Sequence, residues 1–264
     1  MRQSVRRWMV GAATLAAVGA AASGQAGAAE LTAAAHEGSA ARASGYTPPP
    51  KPLYFGQKGA AVRSVQRRLA QLHYYPGPVD GEFGADVQQA AWAFRAVQGL
   101  PMTAALAAQP INRAFEHALV HPKKPWILVP KGGADRIEIN LKLQVLVLYQ
   151  DGKPSLVLHV STGGNCLIDQ GCGWITPDGN FKALSFAAGW VHVPLGEMYN
   201  PVFFIGTAYA IHGDVPVPWF PDSHGCVRIW MDAAAWFHKR VRVGGKHPTP
   251  VYIRGIAPYN SLAN

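Results

Sequence analysis

Hydrophobic positions along this chain change their spacing twice. From Gly56 onward Val62, Val65, Leu69 and Leu72 recur every three or four residues, and after Asp80-Gly81 a second stripe follows at Val87, Ala90, Phe94 and Val97. That period is helical, and Asp-Gly between the stripes marks a turn. Pro110 interrupts any helix ahead of 111–119, because proline lacks the N–H a helix interior needs. Past His121-Pro122-Lys123-Lys124-Pro125 the spacing shifts to short alternating or continuous apolar runs at 136–140, 144–150, 156–161, 210–212, 227–229 and 250–254. These predict strands, with Asp151-Gly152 as a hairpin turn. One late helix is expected over 233–240, with Asp232 as its N-cap and basic residues at its end. A small helical unit followed by a β-rich, sandwich-like domain makes the chain α+β and multidomain.

The ends read differently. Arg2, Arg6 and Arg7 precede a weakly apolar Ala/Gly/Val run over 8–22, and Ala26-Gly27-Ala28 follows as a small-x-small cleavage site. That order is an export signal over 1–28, with a retained membrane anchor as the alternative and Sec and Tat routes both open. Residues 29–54 form a linker rich in Ala, Ser, Gly and Pro, ending in Thr47-Pro48-Pro49-Pro50-Lys51-Pro52, which cannot bury a core. The helical unit then spans 55–119, a second linker 120–134, the β-rich domain 135–255 and a tail 256–264. The length of 264 residues and 49% hydrophobic composition suffice for two modest domains. Loss of the signal removes three arginines and no acid, taking the formal charge from +9 to +6. A basic exported chain suits a polyanionic envelope, and no nucleic-acid-binding motif accompanies the charge.

The three cysteines sharpen the picture. Cys166 and Cys172 lie six apart in a loop-like stretch, and in an oxidising compartment they are expected to pair, the alternative being three reduced thiols. Cys226 is then left over, in Ser223-His224-Gly225-Cys226-Val227-Arg228, with Ile211-His212-Gly213 fourteen positions upstream. A thiol needs a base or positive surroundings to act as a nucleophile, and His212 and His224 are candidates. Glycine before the cysteine lets amides, those of Gly225 and Cys226, turn toward an oxyanion, and the open carbonyl of Gly213 can fix the tautomer of His212. The set fits acyl transfer. An inert buried cysteine, and zinc held by His212, His224 and Cys226, are the competing readings.

Across 135–254 these residues resemble the L,D-transpeptidase (YkuD-type) family, whose signature is a histidine followed at this distance by S/T-H-G-C, an apolar and a polar residue. Thr176-Pro177-Asp178-Gly179-Asn180-Phe181 is similar to the family's T-P-x-G-x-F turn. The resemblance implies Cys226 as nucleophile, His212 as base and His224 as a supporting residue, with no metal or other cofactor. Ser223, Arg228 and Tyr199 would meet the substrate, Tyr199 because the family has a cleft-bordering segment at Met198-Tyr199-Asn200-Pro201. Trp190, Trp219 and Trp230 are either groove-lining or core aromatics. Peptidoglycan stem peptides would be donor and acceptor, carbapenem-type β-lactams inhibitors, nucleic acid no partner, and the membrane a partner only during export. The location would be the periplasm or cell wall. Water in place of an acceptor amine would make the same chemistry an L,D-carboxypeptidase. The helical unit, through Gly56-x-x-Gly59, Val62-x-x-Val65-Gln66-x-x-Leu69, Asp80-Gly81-x-Phe83-Gly84 and Phe94-Arg95-x-x-Gln98-Gly99-Leu100, resembles the three-helix peptidoglycan-binding-like domain. A non-catalytic wall-binding protein is the reading from another class.

Overall fold

The computed structural model describes residues 45–258 except 75–76, 109, 127 and 165–174. The export signal, most of the first linker, the Cys166–Cys172 pairing and the end of the tail therefore lie outside the described residues.

The helical unit contains α1 (Ala60–Gln71), α2 (Ala85–Gln98), α3 (Ala104–Ala108) and α4 (Arg113–Val120). The third helix of the expected bundle is thus split, as Pro110 requires, and α4 restarts under an Asn112 side chain that accepts from the Phe115 N–H. Helix α2 is the central one and is buried on nearly every side. Even its Arg95 is buried, with its guanidinium donating to the carbonyls of Pro101 and Pro110.

Among the described residues ten strands follow in two sheets. The first, in order β3-β2-β1-β10-β4, uses β1 (Arg136–Asn140), β2 (Val145–Gln150), β3 (Lys153–His159), β4 (Gly179–Lys182) and β10 (Pro250–Arg254). The second, in order β5-β7-β8-β9 with β6 on β7, uses β5 (Ser185–Phe186), β6 (Trp190–Val193), β7 (Gly196–Ile205), β8 (Tyr209–Asp214) and β9 (Val227–Trp230). Asp151 and Gly152, at φ 50° and 75°, form the two-residue β2–β3 hairpin turn, where positive φ favours Asp-Gly.

The continuous apolar run of β2 has a direct cause. Leu146 and Leu148 face the inter-sheet core with Ile137, Ile139, Ile211, Val227, Ile229 and Val251, whereas Val145, Val147 and Tyr149 face the helical unit with Val65, Phe94 and Phe115. A strand covered on both faces carries no polar alternation. The helical unit therefore shares one core with the outer face of the first sheet.

The stretch 120–134 is anchored at its far end: the buried Glu138 carboxylate draws in the N–H groups of Leu128 and Val129 along with Arg136, and Tyr149 Oη donates to the Trp126 carbonyl. One expectation needs correction. The late helix is α5 (Met231–Phe237), followed by a tighter turn over His238–Arg240. Asp232 is not its N-cap but lies in its first turn, since Trp230, ending β9, occupies the cap position.

Candidate active site

Strands β8 and β9 run parallel, with His212 beside Arg228 and Asp214 beside Trp230. Side chains alternate, so Ile211, Val227 and Ile229 enter the inter-sheet core while His212, Asp214 and Arg228 share the opposite face. Cys226 stands one residue before β9 with a backbone hydrogen bond from Ala210, on that same face. A cavity of about 920 Å³ opens there, lined by His212, Asp214, His224, Cys226 and Arg228. Its apolar wall comes from the β6–β7 hairpin, including Trp190, Leu195 and Met198, and from Val215 and Pro216.

The imidazole of His212 is buried, and its Nδ1 lies 3.0 Å from the Gly213 carbonyl oxygen. A carbonyl can only accept, so Nδ1 carries the proton and Nε2 holds the free lone pair. Gly213 is packed from behind by α5: a methyl group there would lie 2.7 Å from Ala234 Cβ. Burial pushes His212 below the usual histidine range, with the Gly213 carbonyl opposing. Burial likewise pushes the Cys226 thiol up, opposed by the Ala210 backbone and by Arg228. Desolvation therefore works against both charged forms, favouring the neutral thiol and the neutral imidazole.

The turn before Cys226 is tightly built. Gly225 has φ 124°, and a Cβ on it would sit 2.5 Å from Tyr209 Cε1 and 3.1 Å from the Ile175 carbonyl oxygen. Its carbonyl accepts from Thr176 Oγ1 at 2.7 Å, and Thr176 Oγ1 in turn accepts from the Gly163 N–H at 2.8 Å. Ser223 Oγ accepts from the Gly225 N–H at 3.0 Å and donates to the Cys226 carbonyl at 2.5 Å. Ser223 thus holds the turn with its hydroxyl while also lining the cavity, and the Gly225 amide is already bonded, which leaves the Cys226 amide of the pair expected at an oxyanion.

Arg228 reaches the cavity as an ion pair, its Nε 2.8 Å from Asp214 Oδ2 and its Nη1 3.6 Å from Asp222 Oδ2. Asp214 escaped the sequence reading, although its position two residues after His212 on a strand is the signal that would have found it. Exposed His224 lines the same cavity. Tyr199 does not: it packs on the inter-sheet core and against Trp190, while its neighbour Met198 faces the cavity. Of the tryptophans, Trp190 lines the main cavity, whereas Trp219 and Trp230 border small pockets elsewhere. Among the described residues, no group of three or more His, Cys, Asp and Glu is arranged to hold a metal ion, and no helix is long and apolar enough to cross a membrane.

Comparison with known proteins agrees with this geometry. Residues 134–253 match the YkuD model, the L,D-transpeptidase catalytic domain, and residues 58–106 match the PG_binding_1 peptidoglycan binding domain. A solved L,D-transpeptidase from Xylanimonas cellulosilytica is 29% identical, with a TM-score of 0.67, covering 79% of this chain and 100% of that one. A solved L,D-transpeptidase from Stackebrandtia nassauensis is 17% identical with a TM-score of 0.46, covering 81% of this chain and 100% of that one. No curated protein sequence matches the chain. Residues 134–253 are thus an L,D-transpeptidase (YkuD) catalytic domain, preceded over 58–106 by a peptidoglycan-binding domain.

Proposed function

We propose that this protein is an exported, cysteine-dependent L,D-transpeptidase that joins peptidoglycan stem peptides through a thioester. The observation that carries the reading is the placement of His212, its tautomer fixed by Gly213, and Cys226 on one face of adjacent parallel strands, both open to one 920 Å³ cavity. In the first half-reaction Nε2 of His212 takes the thiol proton as Sγ attacks the carbonyl of an L-centred stem residue. The Cys226 amide stabilises the developing oxyanion. The C–N bond to the following D-residue breaks, and the departing amine takes the proton back from Nε2. In the second half-reaction an acceptor amine gives its proton to Nε2, attacks the thioester and releases the Cys226 thiol. No nucleotide is consumed, because the thioester conserves the energy of the broken amide. Tight packing of Ser223, Gly225 and Thr176 around the cysteine supports the reading, since a nucleophile must be held in a narrow range of positions.

The test is mass spectrometry of muropeptides after incubation with the mature protein. New cross-linked dimers are expected. Shortened stems would assign hydrolysis in place of transfer, and unchanged muropeptides would remove the enzymatic reading in favour of a wall-binding protein.

A further inference from the structure

The loop between His212 and Cys226 reads Asp214-Val215-Pro216-Val217-Pro218-Trp219-Phe220-Pro221-Asp222. Its prolines at 216, 218 and 221 lack N–H groups, so the loop cannot pair as a strand, and its carbonyls need donors from elsewhere. Three side chains supply them. His159 Nε2 meets the Pro218 carbonyl at 2.8 Å, and Ser161 Oγ donates to the Phe220 carbonyl at 2.8 Å, both from the β3 end of the first sheet. The third donor is Gln89 of helix α2, whose Nε2 reaches the Val217 carbonyl at 2.7 Å across 128 positions of sequence. Gln89 and Val217 are both buried, so water does not substitute for that bond.

We propose that Gln89 is a positioning residue for the transpeptidase site, through which the peptidoglycan-binding-like unit sets the wall of the catalytic cavity. Val215 and Pro216, immediately before the anchored carbonyl, line that cavity, and Ser223, which holds the cysteine turn, closes the same loop. The amide end of Gln89 must face the carbonyl, because the opposite orientation sets two oxygen acceptors against each other. Helix α2 cannot slide away to relieve the contact: Trp92 on its next turn stacks edge-on against His159 at 5.3 Å, and Trp92 Nε1 is tied to the Ala107 carbonyl. Through Gln89 alone the helical unit thereby holds the loop that walls the catalytic cavity, in addition to any contact it makes with the cell wall.

The inference rests on Cys226 being the nucleophile, so the experiment pairs an activity readout with one independent of activity. Gln89→Met keeps the length and apolar packing of the side chain and removes the donor. Full-length wild type, Gln89→Met and a control, Val65→Ala in the core of the helical unit, are compared by acylation with a β-lactam and by amide hydrogen exchange. Gln89→Met is expected to acylate about tenfold more slowly, the factor equivalent to about 1.4 kcal/mol, with faster exchange in peptides covering 214–223. Val65→Ala is expected to lose thermal stability while keeping its acylation rate and its exchange in that loop. Wild-type exchange over 214–223 in Gln89→Met overturns the inference, as does an equal loss of rate in Val65→Ala. Should the wild type not acylate, the catalytic reading fails, and the exchange comparison alone still decides whether Gln89 holds the loop.

Discussion

His159 is a buried histidine whose titration ought to be visible in stability. It is fully enclosed between α2 and the loop before Cys226, and burial pushes it down to about 4, against an ordinary value of 6.5, with the carbonyls of Pro218 and Gln144 opposing. The unfolded chain binds a proton below about 6.5 and the folded chain only below about 4, so between those values unfolding takes up one proton. Stability contributed by the neutral ring is intact above the unfolded value and is lost as pH falls, the loss being complete near the folded value. The interval corresponds to about 3 kcal/mol at 1.36 kcal/mol per pH unit. His159→Gln keeps an amide donor for the Pro218 carbonyl and removes the titration. Urea unfolding at pH 7 and pH 4.5 should show wild type losing about 2–3 kcal/mol more than the variant over that interval. Loss of the Trp92 contact shifts the variant equally at both pH values, so only the difference in pH dependence counts. Equal losses would refute the reasoning and show that the buried ring gains a proton acceptor on acidification.

Further outcomes follow from the site. Gly225→Ala imposes a positive φ on alanine and drives Cβ into Tyr209, so backbone strain of about 1–3 kcal/mol should lower the melting temperature and slow acylation at least about tenfold. An unchanged rate would dissociate the turn from catalysis. Arg228→Gln removes a positive charge that lowers the Cys226 thiol and leaves the Asp214 carboxylate, so the pH profile of iodoacetamide alkylation should move to higher pH; a shift to lower pH would contradict the assigned electrostatics. The mature protein is expected to gain the mass of one carbapenem on the peptide containing Ser223 to Arg228, and Cys226→Ala none; an adduct on the variant would place the nucleophile elsewhere. Peptide mapping without reductant should recover Cys166 joined to Cys172, and finding Cys226 in that bridge would reject both assignments.

Legibility from sequence followed the strength of the local pattern. Strands β1 and β10 coincide with the apolar runs at 136–140 and 250–254, and helices α1 and α2 with their stripes, because each buries a regular face. The longest of the described strands, β7, is absent from the apolar runs read as strands. Asn200 at φ 48° and Pro201 break its alternation, and the pairing with β8 shifts register between Tyr199 and Val202. Past such an irregularity the parity of side chains cannot be counted from the sequence, so nothing local could refine the placement of Tyr199 that the family resemblance implied, and Met198 lines the cavity instead. Strands β4, β5 and β6 are short and half exposed, so they carry no apolar run to read. The Cys/His motif was legible because its residue types are unusual for a core. The hydrogen bonds of Ser223 and the ion pairs of Arg228 were not, because their partners are supplied by folding.

The neutral state of the Cys226–His212 pair changes how the site is understood to work. If the thiol were already a thiolate at rest, the protein would have to stabilise a permanent ion pair in a largely buried place, at a desolvation cost that grows with each charge. Burial instead favours the uncharged form of both groups, and in the proposed mechanism charge develops only when a carbonyl arrives and the proton moves from Sγ to Nε2. The fixed features around the pair are arranged for that moment. The Gly213 carbonyl and the Asp214 carboxylate favour the imidazolium, while the Ala210 backbone and Arg228 favour negative charge on sulfur. Arg228 and Asp214 neutralise each other at rest through their 2.8 Å contact, so neither biases the empty site strongly toward one ion. If Cys226 attacks as proposed, stabilisation is thereby reserved for the charge separation of attack, where it lowers the barrier, and is withheld from the resting protein, where it would only deepen the ground state.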